Sequence, residues 1–284
     1  MPVQIDDDGR RWVFAETEVP GTPEVVWQAI ATGPGISSWF VPTELEERQG
    51  GTTVSHFSPD GSMDSVASIS VWEPPHRFVA AAPGDLGPGN PTVATEWIVE
   101  TRGGETCTVR VVHSWYADSD EWDAQFEQHL YGWMSFFRVL RAHLAHFAGQ
   151  PTASFQVMGS SAAAKEAVWA TLLGQLGIGA VAEGDAVQSG AGAPELRGRA
   201  IWAGQSAFPE ELLIVLDAPA PGLAHFVPHP MGLTYLTLRF YLSGDDAAAR
   251  VAEVEPVWQV WLAERFPLVA FDPAAMGEQA EGAA

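Results

Sequence analysis

The chain has 284 residues, 46% of them hydrophobic and 18% charged, a length that suits two domains and a composition that marks a packed globular protein rather than a disordered one. Its formal charge of −22 is spread along the whole length, with 8 basic against 21 acidic residues up to Gln150 and 6 against 15 beyond it. That distribution argues against binding to nucleic acid or to an anionic membrane, since both need lysine and arginine to displace counterions.

A lone Cys107 cannot form an internal disulfide, and the opening MPVQIDDDGRRWVF has no apolar run behind its charges, so a cytoplasmic protein is expected. No window holds the ~18 uninterrupted apolar residues of a bilayer span. The first element, RRWVFAETEVPG, reads as a strand running into a turn at Pro20-Gly21. Thr22 is placed as an N-cap, Pro23 suits the first helical position and Glu24 favours the positive end of the dipole, which predicts a helix from about Pro23 to Ala31. Gly33-Pro34-Gly35 ends it, and ISSWF follows as a second short helix.

From Thr43 to Tyr116 the texture changes to alternation and turns, with hairpin signals at Asp60-Gly61 and Gly103-Gly104, and about five further antiparallel strands are expected. In the last of them Cys107, Val109, Val111, His113 and Trp115 share the face expected to be buried, and Thr108, Arg110, Val112 and Ser114 share the other. Asp118 and Glu121 stand in capping-box spacing and open a long helix to about Phe147, on which Phe126, Leu130, Trp133, Phe137, Leu140, Leu144 and Phe147 form one apolar stripe. Gly149-Gln150-Pro151 closes this domain.

The second half repeats the plan. TASFQVMG reads as a strand, SAAAKEAVWATLLGQLG as a helix capped by Ser160 or Ser161, and ELRGRAIWAG, ELLIVLDAP, LAHFVP and LTYLTLRFYLSG as strands; a last helix starts near Asp245, with Ser243 and Asp246 in capping-box spacing. EAVWATL echoes EVVWQAI, FPEELLIVLDAP echoes EPPHRFVAAAP and YLTLRFYLSG echoes CTVRVVHSWY, in the same order, which points to a duplication. The expected domains are 1–150 and 151–272, with 273–284 as a disordered tail.

The order strand, two short helices, meander, long helix is carried by TPEVVWQAI with ISSWFVP, VWEPPHRFV, TVRVVHSWY and YGWMSFFRVLRAHL. On these residues the stretch 11–148 resembles the START-like (SRPBCC) superfamily and, within it, the family of activators of heat-shock-protein-90 ATPase homologues. The resemblance implies an α+β helix-grip fold, a curved antiparallel sheet around the long C-terminal helix with a cavity between them, and the echoes extend it to two copies. It also implies that the broken helix pair closes one end of the cavity, with Trp27 anchoring it and Trp39-Phe40 near the opening. Members of the superfamily include lipid and hormone binders, polyketide cyclases and aromatases, and co-chaperones, so fold alone leaves function open.

The chemistry-bearing residues narrow the choice. There is no G-x-S-x-G, and Cys107 sits mid-strand among apolar neighbours as a small inert hydrophobe. His143 and His146 lie three apart on a helix, and His225 and His229 flank a Pro-rich turn, but no carboxylate or third ligand stands at a matching offset, so no metal is expected. GPG, GDLGPGNP and GAGAP lack the context of a phosphate cradle, and DSDEWD lacks calcium-loop spacing; no cofactor is implied.

What remains is an aromatic inventory of 12 Trp and 14 Phe, whose large rigid rings can converge into an apolar pocket. The leading expectation is non-catalytic binding of a small hydrophobic molecule by Trp39, Phe40, His56, Phe57, Trp97, His113, Trp115, Trp133 and Phe137, with His113 orienting it and the second domain serving for packing or partner contact. The alternatives are a cyclase- or aromatase-like enzyme using His113, His56 or Glu96 to move protons, and a chaperone-associated interaction protein, with a protein partner or a homodimer in view.

Overall fold

The computed structural model describes residues 3–58, 61, 63–83, 91–117, 120, 122–205 and 208–269. The chain divides into two compact units between Gly149 and Gln150. Unit 1 begins with strands β1 (Gln4–Ile5) and β2 (Arg10–Pro20), then helices α1 (Pro23–Ala31) and α2 (Gly33–Ser37). Six strands follow, β3 (Thr43–Leu45), β4 (Thr52–His56), β5 (Asp64–Glu73), β6 (Arg77–Ala82), β7 (Val93–Thr101) and β8 (Thr106–Tyr116), and the long helix α3 (Asp123–His146) closes the unit. The sheet order is β1-β2-β8-β7-β6-β5-β4-β3. The first long strand thus pairs antiparallel with the last, from Arg10 opposite Tyr116 to Pro20 opposite Thr106, and α3 packs against β2.

The helix pair differs from expectation in an instructive way. Thr22 does cap α1, but Gly33-Pro34-Gly35 begins α2 instead of merely ending α1, because Thr32 serves both helices: its hydroxyl donates to Gln28 O at 2.8 Å and accepts from Gly35 N at 3.0 Å. Proline is tolerated in that first turn since its missing N–H has no intrahelical partner to lose. The turn between the helices is so tight that a Cβ on Gly35 would lie 1.8 Å from Gln28 O. Trp27 anchors the pair on the sheet through edge-on contacts with Trp72 and Phe78 at 5.1 and 5.8 Å.

Two other local readings are corrected. The long helix starts at Asp123, with Trp122 as N-cap and no side-chain cap bond; Asp118 and Glu121 lie outside the described residues, as do Asp60 and the tail 273–284. On β8 the supposedly open face is largely buried as well, at Thr108, Val112 and Ser114. Thr108 is covered there by Arg102, whose Nε donates to its hydroxyl at 2.7 Å.

Unit 2 contains β9 (Thr152–Ser161), α4 (Lys165–Leu176), β10 (Ala186–Gln188), β11 (Arg197–Gln205), β12 (Phe208–Ala218), β13 (Gly222–Met231), β14 (Leu233–Ser243) and α5 (Ala247–Ala263). Its sheet order, β10-β11-β12-β13-β14-β9, repeats that of unit 1: the first strand pairs with the last, one helical segment follows the first strand, and a long helix ends the unit. Ala164 and Asp246 occupy the N-cap positions of α4 and α5 without side-chain cap bonds; Ser161 accepts from Ala163 N ahead of α4.

The strand expected at LAHFVP runs on through His229 and Pro230 to Met231, so His225 and His229 lie within one strand and flank no turn. The ladder of β13 with β12 runs only from Gly222 to Phe226, so Pro228 and Pro230 fall where one edge of β13 needs no donor for that neighbour. The core of unit 2 lies between Leu236, Leu238, Phe240 and Leu242 of β14 and Trp258, Trp261 and Leu262 of α5, each large side chain stabilising the fold by about 1.5–3 kcal/mol on burial.

Replacement of Gly35 by alanine forces a methyl group into the Gln28 carbonyl, and overpacking of this kind costs about 1–3 kcal/mol. Urea unfolding followed by tryptophan fluorescence is expected to show a lower midpoint for Gly35→Ala than for a Gly132→Ala control, where a Cβ meets nothing within 4 Å.

Candidate functional site

The site is set by the β7–β8 hairpin. Gly103 and Gly104, at φ 114° and 63°, make a turn that a side chain would strain, and they fix a register in which Thr95 faces His113 and Trp97 faces Val111. Across β6, Phe78 faces Trp97, so Phe78, Thr95, Trp97 and His113 share one face of the sheet. Helix α3 presents Trp133, Phe136 and Phe137 to this face, and the segment after α2 adds Trp39 and Phe40.

These side chains form one continuous aromatic network. Phe40 stacks on Trp133 (5.2 Å between centroids, 9° between planes) and meets Phe57 and Phe136 edge-on at 5.6 and 4.4 Å. Trp97 contacts Trp39, Phe78, Trp133 and Phe137 at 5.1–6.3 Å. Trp115 stacks on Phe126 at 3.8 Å, and Phe126 in turn reaches His113 at 6.2 Å.

Of the nine residues expected to line a pocket, eight therefore belong to this network, and their rings touch one another. Trp39 is fully buried, with its indole N–H donating to Ala29 O at 2.8 Å, so it belongs to the core rather than to an opening. Phe57, Trp133 and Phe136 are half-buried and bring the network toward the surface. His56 is engaged elsewhere, with Nδ1 3.0 Å from Asp64 Oδ1 and Nε2 4.0 Å from Glu44 Oε1 on the adjoining strands. Glu96 projects from the opposite face of β7, where it is ion-paired with Arg77.

His113 is the polar centre of the network. Its Nδ1 lies 3.0 Å from Thr95 Oγ1 and its Nε2 2.5 Å from Trp133 Nε1. An indole N–H can only donate, so Nε2 is the acceptor and Nδ1 carries the hydrogen that goes to the threonine hydroxyl. Burial of the imidazole is thereby compensated on both nitrogens. Thr95, Phe78 and Phe136 had not been nominated; Thr95 was reachable by counting outward from the Gly103-Gly104 turn.

A second histidine holds the helix pair to α3. His143 Nε2 is 3.1 Å from Ser38 Oγ, and that hydroxyl donates its own hydrogen to Gly35 O at 2.5 Å. Nε2–H is therefore the donor to serine, and the buried Nδ1 has no hydrogen-bond partner among the described residues. Protonation there would create a buried cation, and burial accordingly lowers the His143 pKa to about 4. Cys107 is equally inert: burial raises its thiol pKa, and its S–H points to Gly21 O at 3.3 Å. Among the described residues no group of three metal-ligating side chains occurs, and no helix is long and apolar enough to cross a membrane.

Residues 20–145 match the model of the family described as activator of Hsp90 ATPase homolog 1-like protein. The match lies wholly within unit 1. Similar solved structures include the di-domain ARO/CYC BexL from the BE-7585A biosynthetic pathway, 14% identical over 96% of this chain and 93% of that one with a TM-score of 0.44. DynU16, a protein in the dynemicin biosynthetic locus, is 17% identical over 96% and 99% of the two chains with a TM-score of 0.40. The Aha1 dimer from Colwellia psychrerythraea is 18% identical over 47% and 95% with a TM-score of 0.39. No curated protein matches the chain.

The depressed pKa of His143 makes stability depend on pH. Between about 6.5 and 4 the unfolded chain takes up a proton at this residue that the folded chain does not, so stability is full above about 6.5 and falls as pH drops toward 4. The loss amounts to roughly 3 kcal/mol across that window at ~1.4 kcal/mol per pH unit. His143→Gln, which keeps a donor for Ser38 but cannot titrate, is expected to show a smaller difference between its urea midpoints at pH 7 and pH 4.5 than the wild type.

Proposed function

We propose that unit 1 binds a small hydrophobic molecule between its sheet and α3, without catalysing a reaction on it. The observation that supports this reading is a neutral imidazole of fixed tautomer at the centre of an aromatic network that reaches the surface through Phe57, Trp133 and Phe136. Because the rings touch one another, binding opens the Phe40–Trp133 stack, and the ligand replaces contacts that the rings now make among themselves. A buried apolar ligand surface of ~400 Å² corresponds to about 10 kcal/mol of gross driving force, which association and ring displacement reduce to roughly micromolar affinity.

Catalysis is less favoured by the placement of the candidate groups. Glu96 faces away from His113 across the sheet, and His56 is tied to Asp64, which leaves His113 bonded to two neutral side chains. The helix-facing side of β14 in unit 2 bears Leu236, Leu238, Phe240 and Leu242, so the corresponding interior there is apolar where unit 1 has its imidazole. The reading as a partner of a chaperone has the family description behind it and predicts a stable protein complex instead of a ligand.

Titration of the full chain with a panel of lipids, polyketides and aromatic compounds, read by tryptophan fluorescence and native mass spectrometry, is expected to give a one-to-one adduct and an altered emission for at least one class. Emission of the Trp133→Phe variant should respond less. A panel without any adduct or spectral change removes the proposal.

A further inference from the structure

Helix α5 turns two tryptophans into the core of unit 2. Trp258 and Trp261 stand three residues apart on one face of the helix, are 0% and 6% exposed, and meet edge-on at 5.7 Å. Trp258 also packs on Phe240 at 4.7 Å and on Phe226 at 6.1 Å. Among the described residues neither indole N–H has a hydrogen-bond partner. The strands that share this core bring Leu212, Ile214, Phe226, Leu238 and Phe240 to it, and none of these side chains can accept a hydrogen bond. Buried polar groups are almost always bonded, so two unmet donors in one core point to an acceptor from outside the chain. We infer that the interior of unit 2 is a binding site in its own right, for an apolar molecule whose polar atom is an acceptor oxygen carrying no hydrogen, as in a ketone, quinone or ester. It shares no residue with the site proposed in unit 1.

The chemical class follows from what the donors can use. An indole N–H donates and cannot accept. A water molecule accepting from it would still have two hydrogens of its own to place, and a buried water makes about three hydrogen bonds; leucine and phenylalanine supply none. An alcohol meets the same difficulty with its one hydrogen. A carbonyl oxygen has lone pairs and no hydrogen, so it satisfies a donor and adds no unmet group. A hydrocarbon leaves both N–H groups as they are.

The way in lies at the end of α5. Arg265 covers the Trp261 ring with its guanidinium carbon 4.6 Å from the centroid, and it donates to Trp261 O at 2.9 Å and to Gln175 Oε1 on α4 at 3.2 Å. The core is thus closed there by a long, partly exposed side chain, which can swing away without disturbing the strands. Also on α4, Trp169 and Leu173 are only partly buried against the core, and the ligand takes its room by parting them from α5.

The experiment follows the indole signals of the full chain, isotopically labelled at the tryptophan side-chain nitrogens, by NMR during titration with indanone, indanol and indane, probes of nearly one shape. Trp258→Phe and Trp261→Phe assign the two signals. Arg265→Ala, a surface change, assigns that of Trp261 independently by speeding its exchange with water, so the comparison stands even where a phenylalanine variant does not fold. In the free protein both signals are expected at the high-field end of the indole range, where an N–H without an acceptor resonates. Indanone moves them downfield and binds at least about fivefold more tightly than indane, the worth of one net hydrogen bond; indanol falls between. The ratio drops in each phenylalanine variant, read on the signal that remains. Signals already downfield and in contact with water in the free protein, equal shifts and affinities for indanone and indane, or no response to any probe each overturn the inference. Both reporters lie in unit 2, so none of these outcomes bears on the binding reading for unit 1, whose reporter is Trp133.

Discussion

The register between β7 and β8 is the constraint on which the rest of unit 1 depends. Two glycines at positive φ close that hairpin, and every pair along it, from Thr101 opposite Cys107 to Ala94 opposite Ser114, follows from where they sit. Side chains alternate with a period of two, so a slip of β8 by one residue would turn His113 away from α3 and bring Val112 onto the helix-facing side. The long ladder of β2 with β8 reinforces the same register from the other edge, with Val13 opposite His113. Strand β8 could not shift without breaking both ladders.

Given that register, the interior resolves a conflict between apolar packing and one polar group. An imidazole among tryptophans and phenylalanines would be destabilising if left unbonded, and it is bonded twice, to a threonine from the neighbouring strand and to an indole from the helix. Both partners are themselves amphipathic: the threonine methyl and the indole ring add apolar surface while their polar ends meet the imidazole. Trp133 thereby contributes packing to Phe40 and Trp97 and polarity to His113. His143 plays the same double part further along α3, filling space with its ring while its Nε2–H ties Ser38 and hence α2 in place.

Much of this was legible in the sequence because it was written in local signals. The Gly103-Gly104 turn, the Thr22-Pro23-Glu24 helix start and the stripe from Phe126 to Phe147 each rest on neighbours in the chain, and Phe126, Leu130, Phe137, Leu140, Leu144 and Phe147 are buried. What was missed depends on contacts between distant segments. Phe136 lies off the apolar stripe and is recruited by Phe40 from the loop after α2. Residues Gly33 to Gly35 looked like a helix terminator because the dual role of Thr32 is visible only once both helices exist. The continuation of β13 past Pro228 was hidden because the sequence does not say which edge of the strand lacks a neighbour. The echo of YLTLRFYLSG with CTVRVVHSWY located the matching strands correctly, yet aligned letter by letter it sets Tyr241 beside His113, and Tyr241 is on the face of β14 opposite the α5 core. A duplication can be recognised by order of elements while its register is off by one.

That offset matches a difference between the two interiors. In unit 1 the central polar group faces the long helix. In unit 2 the helix-facing side of β14 is apolar from Leu236 to Leu242, and ionisable groups stand on the other face, where His225 Nε2 is 3.0 Å from Glu211 Oε1 with both side chains 1% exposed and Arg239 sits directly between His225 and Gln156 in the ladder. No spacing rule along one strand reveals this set, since its members come from four strands and meet only through registry. Removing one partner of a buried hydrogen-bonded polar pair costs the desolvation of the other. The two halves thus share a strand order while their buried polar groups stand on different faces, which separates a half organised around a bonded imidazole inside an aromatic interior from a half whose interior is occupied by its own leucines, phenylalanines and tryptophans.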